Sequence, residues 1–300
     1  MITTPFWLLH GAILLALAIG SVTDLKKREV PDTVNYGLMA VGIVSGIILS
    51  ILNKSIWPAL SAIGGLGAGY GIGALMYYTG QWGGGDAKML MGIGAMQGLF
   101  IPVVSVTTFS NLFSGVPIII TTVLTIFVAG AVYGICFAFY LALRHWKKFK
   151  QAFIAKIREP KIMKRRYIIT SFVVVAVILL FAVKEPFFKI LLALVAFTFF
   201  FGHYLTILGK VVEETMMIKS MHVSKITEGE WIRKEIKIKG KIICGPKDKL
   251  GISTKQIAEL KAHGIKTVTV KQGIPFIPGF LLGYLFIMLV GNWINILFFF

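Results

Sequence analysis

The chain has 300 residues, 56% of them hydrophobic and only 15% charged, with a mean hydropathy of +0.81. Water-soluble domains carry about 25% charged residues, so this balance excludes an ordinary soluble domain and points to a bilayer protein. Net charge is +18, from 31 Lys and Arg against 13 Asp and Glu. The basic residues fall in loops between apolar runs, a pattern that fits membrane topology and excludes a nucleic-acid surface.

A helix needs about 20 mainly apolar residues to cross the hydrocarbon core. By that ruler the sequence predicts eight spans, at 5–23, 33–52, 57–79, 87–103, 116–143, 167–183, 187–208 and 275–298. No basic residue precedes the first apolar run, which therefore reads as a retained span rather than a cleavable signal. The third and fourth spans are Gly-rich (Gly64, Gly65, Gly67, Gly69, Gly71, Gly73, then Gly92 and Gly94), which predicts close helix approach. Lys26, Lys27 and Arg28 follow the first span. Segment 144–166 holds ten Lys and Arg with one acid, and 210–271 holds fourteen with seven acids. The alternate loops are almost free of basic residues, so every basic loop falls on one side if the spans alternate. By the positive-inside rule that side is the cytoplasm, with both termini outside.

Two loops have content of their own. In 144–166, Trp146, Phe149, Phe153 and Ile157 recur at helical spacing among lysines, as in an interfacial helix lying against anionic lipid; a solvated basic loop is the alternative. In 210–271, Ile236 and Ile238 alternate with lysines as in a strand. Ser253 opens a helix over 254–263 closed by Gly264, and 267–270 forms a second strand. The expected fold is an α-helical polytopic membrane protein of about eight spans with a small cytoplasmic α+β domain before the last helix. The expected domains are 1–209 (membrane catalytic), 210–273 (α+β) and 274–300 (last span). Cys136 and Cys244 form no Cys-x-x-Cys pair, so neither a zinc ribbon nor a disulfide framework is expected.

Acids are scarce enough for elimination. Outside 210–271 there are six: Asp24, Glu29, Asp32, Asp86, Glu159 and Glu185. Glu159 lies in the basic loop and Glu185 in an outside turn. Asp32 follows Pro31 at the start of the second span, where an N-cap is the structural role, and Glu29 follows three basic residues. Asp24 ends the first span and Asp86 opens the fourth, so both stand at the cytoplasmic edge. Two carboxylates a few ångströms apart share a proton, the arrangement that activates water and protonates a leaving group. Two helix-end acids that never meet would serve the fold equally well, and relay groups of a proton-coupled transporter are the rival from another functional class.

The local sequences favour the first reading. Asp24 stands in Asp24-Leu25-Lys26-Lys27-Arg28-Glu29-Val30-Pro31-Asp32, and Asp86 in Gly83-Gly84-Gly85-Asp86-Ala87-Lys88. Over about 1–96 the chain resembles the prepilin and preflagellin peptidases, whose aspartates stand ahead of a Val/Ile/Leu-Pro pair and in Gly-x-Gly-Asp-x-Lys. The resemblance implies a membrane aspartyl protease with Asp24 and Asp86 catalytic, Gly83 and Gly85 letting the backbone turn and approach a peptide, and Lys88 tuning the pair or binding lipid phosphate. The implied substrates are type IV pilin-like or archaellin precursors with a basic leader, with no metal and no cofactor. Glu29 and Asp32 are candidates for holding the leader's Lys or Arg. Bacterial members carry a Cys-x-x-Cys zinc loop and also methylate the new N-terminus; this chain lacks those cysteines, which implies cleavage without methylation. Presenilin-like proteases share Gly-x-Gly-Asp, but here Val22-Thr23 precedes Asp24, and Pro58-Ala59-Leu60 comes before Asp86 instead of after it.

Overall fold

A computed structural model describes residues 6–99, 118–238, 240–246, 248, 250–291 and 293. The chain is an α-helical polytopic membrane protein. Among the described residues, six helices are long and apolar enough to cross a bilayer: α1 (Phe6–Lys27), α2 (Asp32–Leu52), α3 (Trp57–Tyr78), α5 (Ile118–Arg144), α7 (Pro160–Ala182) and α8 (Pro186–Thr215). The expected fourth and eighth spans appear as shorter helices, α4 (Gly84–Gly98) and α10 (Ile277–Val290). Residues 100–103 of the former, and most of 292–298 of the latter, lie outside the described residues. The structure divides into two compact units, Met1–Gly134 with Ser220–Phe300, and Ile135–Lys219.

In the first unit α4 is the centre. Its 15 residues reach only about 22 Å at 1.5 Å per residue, and it is buried from Ala87 to Gly98 apart from half-buried Lys88 and Met91. Met89, Leu90, Ile93 and Met96 join Ile13 and Leu17 of α1 and Ile277, Phe280 and Tyr284 of α10 in one core. The Gly-rich spans approach as expected, but on one face only. A Cβ at Gly69 would stand 2.6 Å from the Leu90 carbonyl oxygen and one at Gly73 2.9 Å from that of Ala87, and Gly65 meets Gly94 backbone to backbone. Gly64, Gly67 and Gly71, by contrast, have nothing within 4 Å. Removing side chains at every fourth position lets two helices pack at backbone distance, which supplies dispersion contact where no hydrophobic effect acts.

The strand-containing domain follows the same local rules. Strands β1 (Ile218–His222), β2 (Trp231–Ile232) and β5 (Thr267–Lys271) form a sheet of order β1-β5-β2, and β3 (Ile236–Ile238) pairs antiparallel with β4 (Lys241–Cys244). Helix α9 (Thr254–Ala262) begins at Ser253, whose hydroxyl accepts from the Gln256 backbone N–H while the Gln256 side-chain Oε1 accepts from the Ser253 N–H at 2.7 Å. Such a capping box satisfies two donors that a helix start leaves open. Gly264 closes the helix at φ +70°. Val223, Ile232, Cys244, Ile252, Leu260 and Val270 form the core.

In the second unit, α6 (Trp146–Ile157) is the helix expected at 144–166. Its apolar face, however, is taken up by protein. Phe149 is buried with Ala138 and Ala142 of α5 and Ile207, Val211 and Val212 of α8, and Phe153 stacks on Phe149 at 5.2 Å. Only Trp146 and Ile154 remain exposed. Lys156 fixes the helix through Glu159 (3.0 Å) and Glu214 (2.8 Å), and Lys148 donates to the Thr215 carbonyl at the end of α8, one of the carbonyls a helix C-terminus leaves open.

Candidate active site

The Asp24 end of α1 is built by two backbone features. Arg28 adopts a left-handed conformation (φ 64°) and its N–H closes on the Asp24 carbonyl at 2.9 Å, ending the helix. The reversal carries the guanidinium back to the Gly273 carbonyl, 3.0 Å away, in the link between β5 and α10. Asp24 is buried, at 6% exposure, and its Oδ2 accepts from the Ile277 N–H at 3.1 Å. That donor is open for a clear reason. Pro278 has no N–H, and the N–H groups of Gly279 and Phe280 turn back to the Phe276 carbonyl. The first helical N–H of α10 is left over, and a carboxylate from α1, 253 residues earlier in the chain, takes it. The phenol of Tyr133 on α5 lies within electrostatic reach of both Asp24 and Arg28.

Asp86 stands in the first turn of α4, where its Oδ2 accepts the Gly83 N–H at 3.0 Å. Upstream, Gly80 turns the chain at φ 72° and Trp82 is buried against Phe127, Phe276 and Phe280 at ring distances of 5.4, 5.6 and 5.0 Å. The aromatic cluster pins the loop before the Gly-Gly-Gly-Asp run to α5 and α10.

The two motif segments converge. A Cβ at Gly20 would stand 3.0 Å from Met89 Cε and 3.6 Å from Val30, and one at Gly85 would stand 3.2 Å from Val30 Cβ. Asp24 lies four residues beyond Gly20 and Asp86 three residues before Met89, about 6 and 4.5 Å along their helices. Their charges act on one another. Asn35, fully buried on α2, donates through Nδ2 to the Gly85 carbonyl at 3.4 Å.

The other expected site residues fall as follows. Asp32 is the first residue of α2 and caps nothing; Pro31 holds the N-cap position. The Asp32 carboxylate accepts instead from Lys88 Nζ at 2.6 Å, and the ammonium also lies 5.2 Å from the Tyr36 ring centroid. Lys88 thus joins α4 to α2. Glu29 is exposed. Gly83 is extended (φ −75°, ψ 165°), a conformation open to any residue, and a Cβ there would meet only the Asp86 carboxylate at 3.5 Å. Gly85 needs its missing side chain for apposition to Val30, so neither glycine makes a turn that excludes other residues. Arg28, Trp82, Asn35, Tyr133 and the α10 N-terminus were not foreseen. Asn35 carried a signal, being a polar residue on the α2 face continued by Leu38, Met39 and Gly42. Arg28 had been read only as topology.

Residues 11–135 match the type IV leader peptidase family. That segment is similar to the family. Preflagellin peptidase from Methanococcus voltae is 37% identical over 83 residues, 28% of this chain and 35% of that protein. The Methanocaldococcus jannaschii preflagellin peptidase is 35% identical over 86 residues, 29% and 36% of the two chains. The Methanococcus maripaludis one is 35% identical over 82 residues, 27% and 35%. The chain thus spans about a third of the length of the curated relatives it matches. No solved structure matches.

Proposed function

We propose that the chain is a membrane aspartyl endopeptidase, acting at the cytoplasmic face of the plasma membrane, that removes a short basic leader from type IV pilin-like or archaellin-like precursors. The observation that carries the reading is the meeting of the two motif segments inside the family segment, Gly85 against Val30, with Asp86 within electrostatic reach of Asp24. The names of the three relatives support a preflagellin-type substrate. The single basic side of the helix alternation supports the cytoplasmic placement.

The surroundings divide the labour. Asp24 is met by the N-terminal N–H of α10 and by the Arg28 charge, and a helix N-terminus favours an anion. Asp86 also meets a helix N-terminus, through the Gly83 N–H at the start of α4, but the charge acting on it is the negative one of Asp24. Asp24 therefore carries the negative charge of the pair and Asp86 the shared proton. Water adds through its oxygen to the scissile carbonyl carbon as Asp24 takes its proton and Asp86 gives its own to the carbonyl oxygen. When the C–N bond breaks, the Asp24 proton goes to the leaving nitrogen and Asp86 recovers one from the diol, which restores the starting state. Glu29, exposed one residue before Val30, is the better acid for the leader's Lys or Arg, because Asp32 is already paired with Lys88. Processing ends at cleavage, without methylation.

The test is cleavage in membranes of a precursor with a basic leader and a hydrophobic helix, by wild type, Asp24→Asn and Asp86→Asn. Cleavage by wild type and by neither variant is expected. Cleavage surviving either substitution removes the aspartyl mechanism. Failure to cut any leader, together with proton uptake that needs both aspartates, moves the chain to the transporters.

A further inference from the structure

Two polar side chains beside the carboxylates have bonding capacity that nothing uses. Ser21 lies one turn before Asp24 on the same side of α1, 6% exposed, and its Oγ has no hydrogen-bond partner. Its neighbour Thr23 behaves differently, donating back to the Ile19 and Gly20 carbonyls as hydroxyls in helices do. Asn35 is fully buried and spends its amide N–H on the Gly85 carbonyl, while its Oδ1 is unpartnered. Buried polar atoms are nearly always paired, and leaving one unpaired costs the fold its desolvation. One such acceptor flanks each carboxylate, Ser21 from α1 and Asn35 from α2 next to the Gly85-Asp86 peptide.

A substrate whose hydrophobic helix begins at the cut creates the matching need. To expose one peptide bond, that helix must unwind at the membrane edge. Its freed N–H groups then need acceptors, because the bilayer offers none. We infer that Ser21 Oγ and Asn35 Oδ1 accept hydrogen bonds from the backbone N–H groups of the unwound peptide on either side of the scissile bond. The site thus recognises extended backbone independently of side chains, in addition to whatever the acids select in the leader. The inference rests on the peptidase reading above.

The test uses the full chain in detergent and a synthetic precursor peptide, with Asp24→Asn as the inactive control. Ser21→Ala is expected to lower kcat/KM about 3- to 10-fold, the range for losing one hydrogen bond. Its melting temperature stays the same or rises, because the deleted hydroxyl was unpaired. Asn35→Ala also gives up the bond to Gly85 and should lose at least as much activity. The decisive substrate is the same peptide with backbone N–H groups near the cut replaced one at a time by ester oxygen. At one position the Ser21→Ala penalty should vanish, and at another the Asn35→Ala penalty. Wild-type rates in both variants, or losses that persist on every ester peptide, overturn the backbone contacts while leaving the peptidase intact. Absence of cleavage by wild type overturns both.

Discussion

Arg28 offers a perturbation in which backbone and side chain pull in opposite directions. Its left-handed conformation (φ 64°) costs an L-residue about 1–2 kcal/mol relative to glycine. Against that, its guanidinium donates to the Gly273 carbonyl at 3.0 Å in a half-buried setting. A charge-assisted bond of that kind contributes about 1.5–3 kcal/mol. Arg28→Ala keeps the strain and loses the bond, and should destabilise by about 1.5–3 kcal/mol. Arg28→Gly loses the same bond but relieves the strain, for a net change of about 0–2 kcal/mol. The two variants should therefore melt about 2–8 °C apart in detergent, taking roughly 2–4 °C per kcal/mol for a larger protein. Cleavage should fall in both to the same extent. What positions Asp24 is the tie from α1 to the Gly273–Ile277 link, and both variants cut it. If Arg28→Gly is as stable as expected and cleaves at the wild-type rate, the guanidinium does not hold the site and the reasoning fails.

Three further outcomes can be measured. Gly85→Ala puts a methyl 3.2 Å from Val30 and must push the Val30-Pro31 segment aside, at about 1–3 kcal/mol with reduced cleavage, whereas Gly83→Ala meets only ordinary contacts and should melt within about 0.5 kcal/mol of wild type; equal effects in the two melting curves would contradict the apposition. Removing charge at Glu29 should narrow the preference for basic over neutral leaders more than Asp32→Asn does, since Lys88 already pairs with Asp32; competition between the two leaders in one reaction gives the ratio, and a larger effect at Asp32 would reverse the assignment. Burial, reinforced by the Asp248 and Glu259 charges, pushes the Cys244 thiol up to about 11 from 9, so below that pH it stays protonated and offers about 100-fold less thiolate than an ordinary cysteine. In a Cys136→Ser background, iodoacetamide at pH 8 should label Cys244 only after the domain unfolds, and labelling of the folded protein at the free-cysteine rate would refute this.

What could be read from the sequence was what local physics decides. The six long apolar helices follow from hydropathy, and α9 follows from Ser253, Gln256 and Gly264, each acting on backbone groups within one turn. The short fourth helix strained the length rule because that rule assumes lipid on the outside, and α4 is wrapped by α1, α2, α3 and α10. The face of α6 was misassigned for a related reason. A stripe such as Trp146, Phe149, Phe153 and Ile157 reports that something apolar covers it, and periodicity cannot say whether lipid or α8 does so. Asp24 and Asp86 stood out as candidates because acids are rare in such a chain, so elimination alone left only a few. Their partners were not found, because Ile277 meets Asp24 through a main-chain N–H that carries no side-chain signature.

That main-chain contact changes how the α+β domain is to be understood. Only five residues, 272–276, separate β5 from α10, and both ends of the stretch are held. At one end the Gly273 backbone packs on Trp231 and its carbonyl accepts from Arg28; at the other, Ile277 donates to Asp24. A segment this short transmits displacement, because it has no slack to absorb it. Any motion of β5 relative to the helices must therefore stretch the Arg28 bond, the Asp24 bond, or both. A domain that looks in the sequence like an insertion between spans is, in the structure, joined by five residues to the N–H that meets a candidate catalytic carboxylate. The reason is chemical. The first N–H of α10, that of Ile277, has no partner within its own helix, and the carboxylate that satisfies it is the one proposed to activate water. The start of α10 and the candidate site at Asp24 thus share a hydrogen bond, so a substitution that weakens the start of α10 is expected to act on Asp24 as well as on stability.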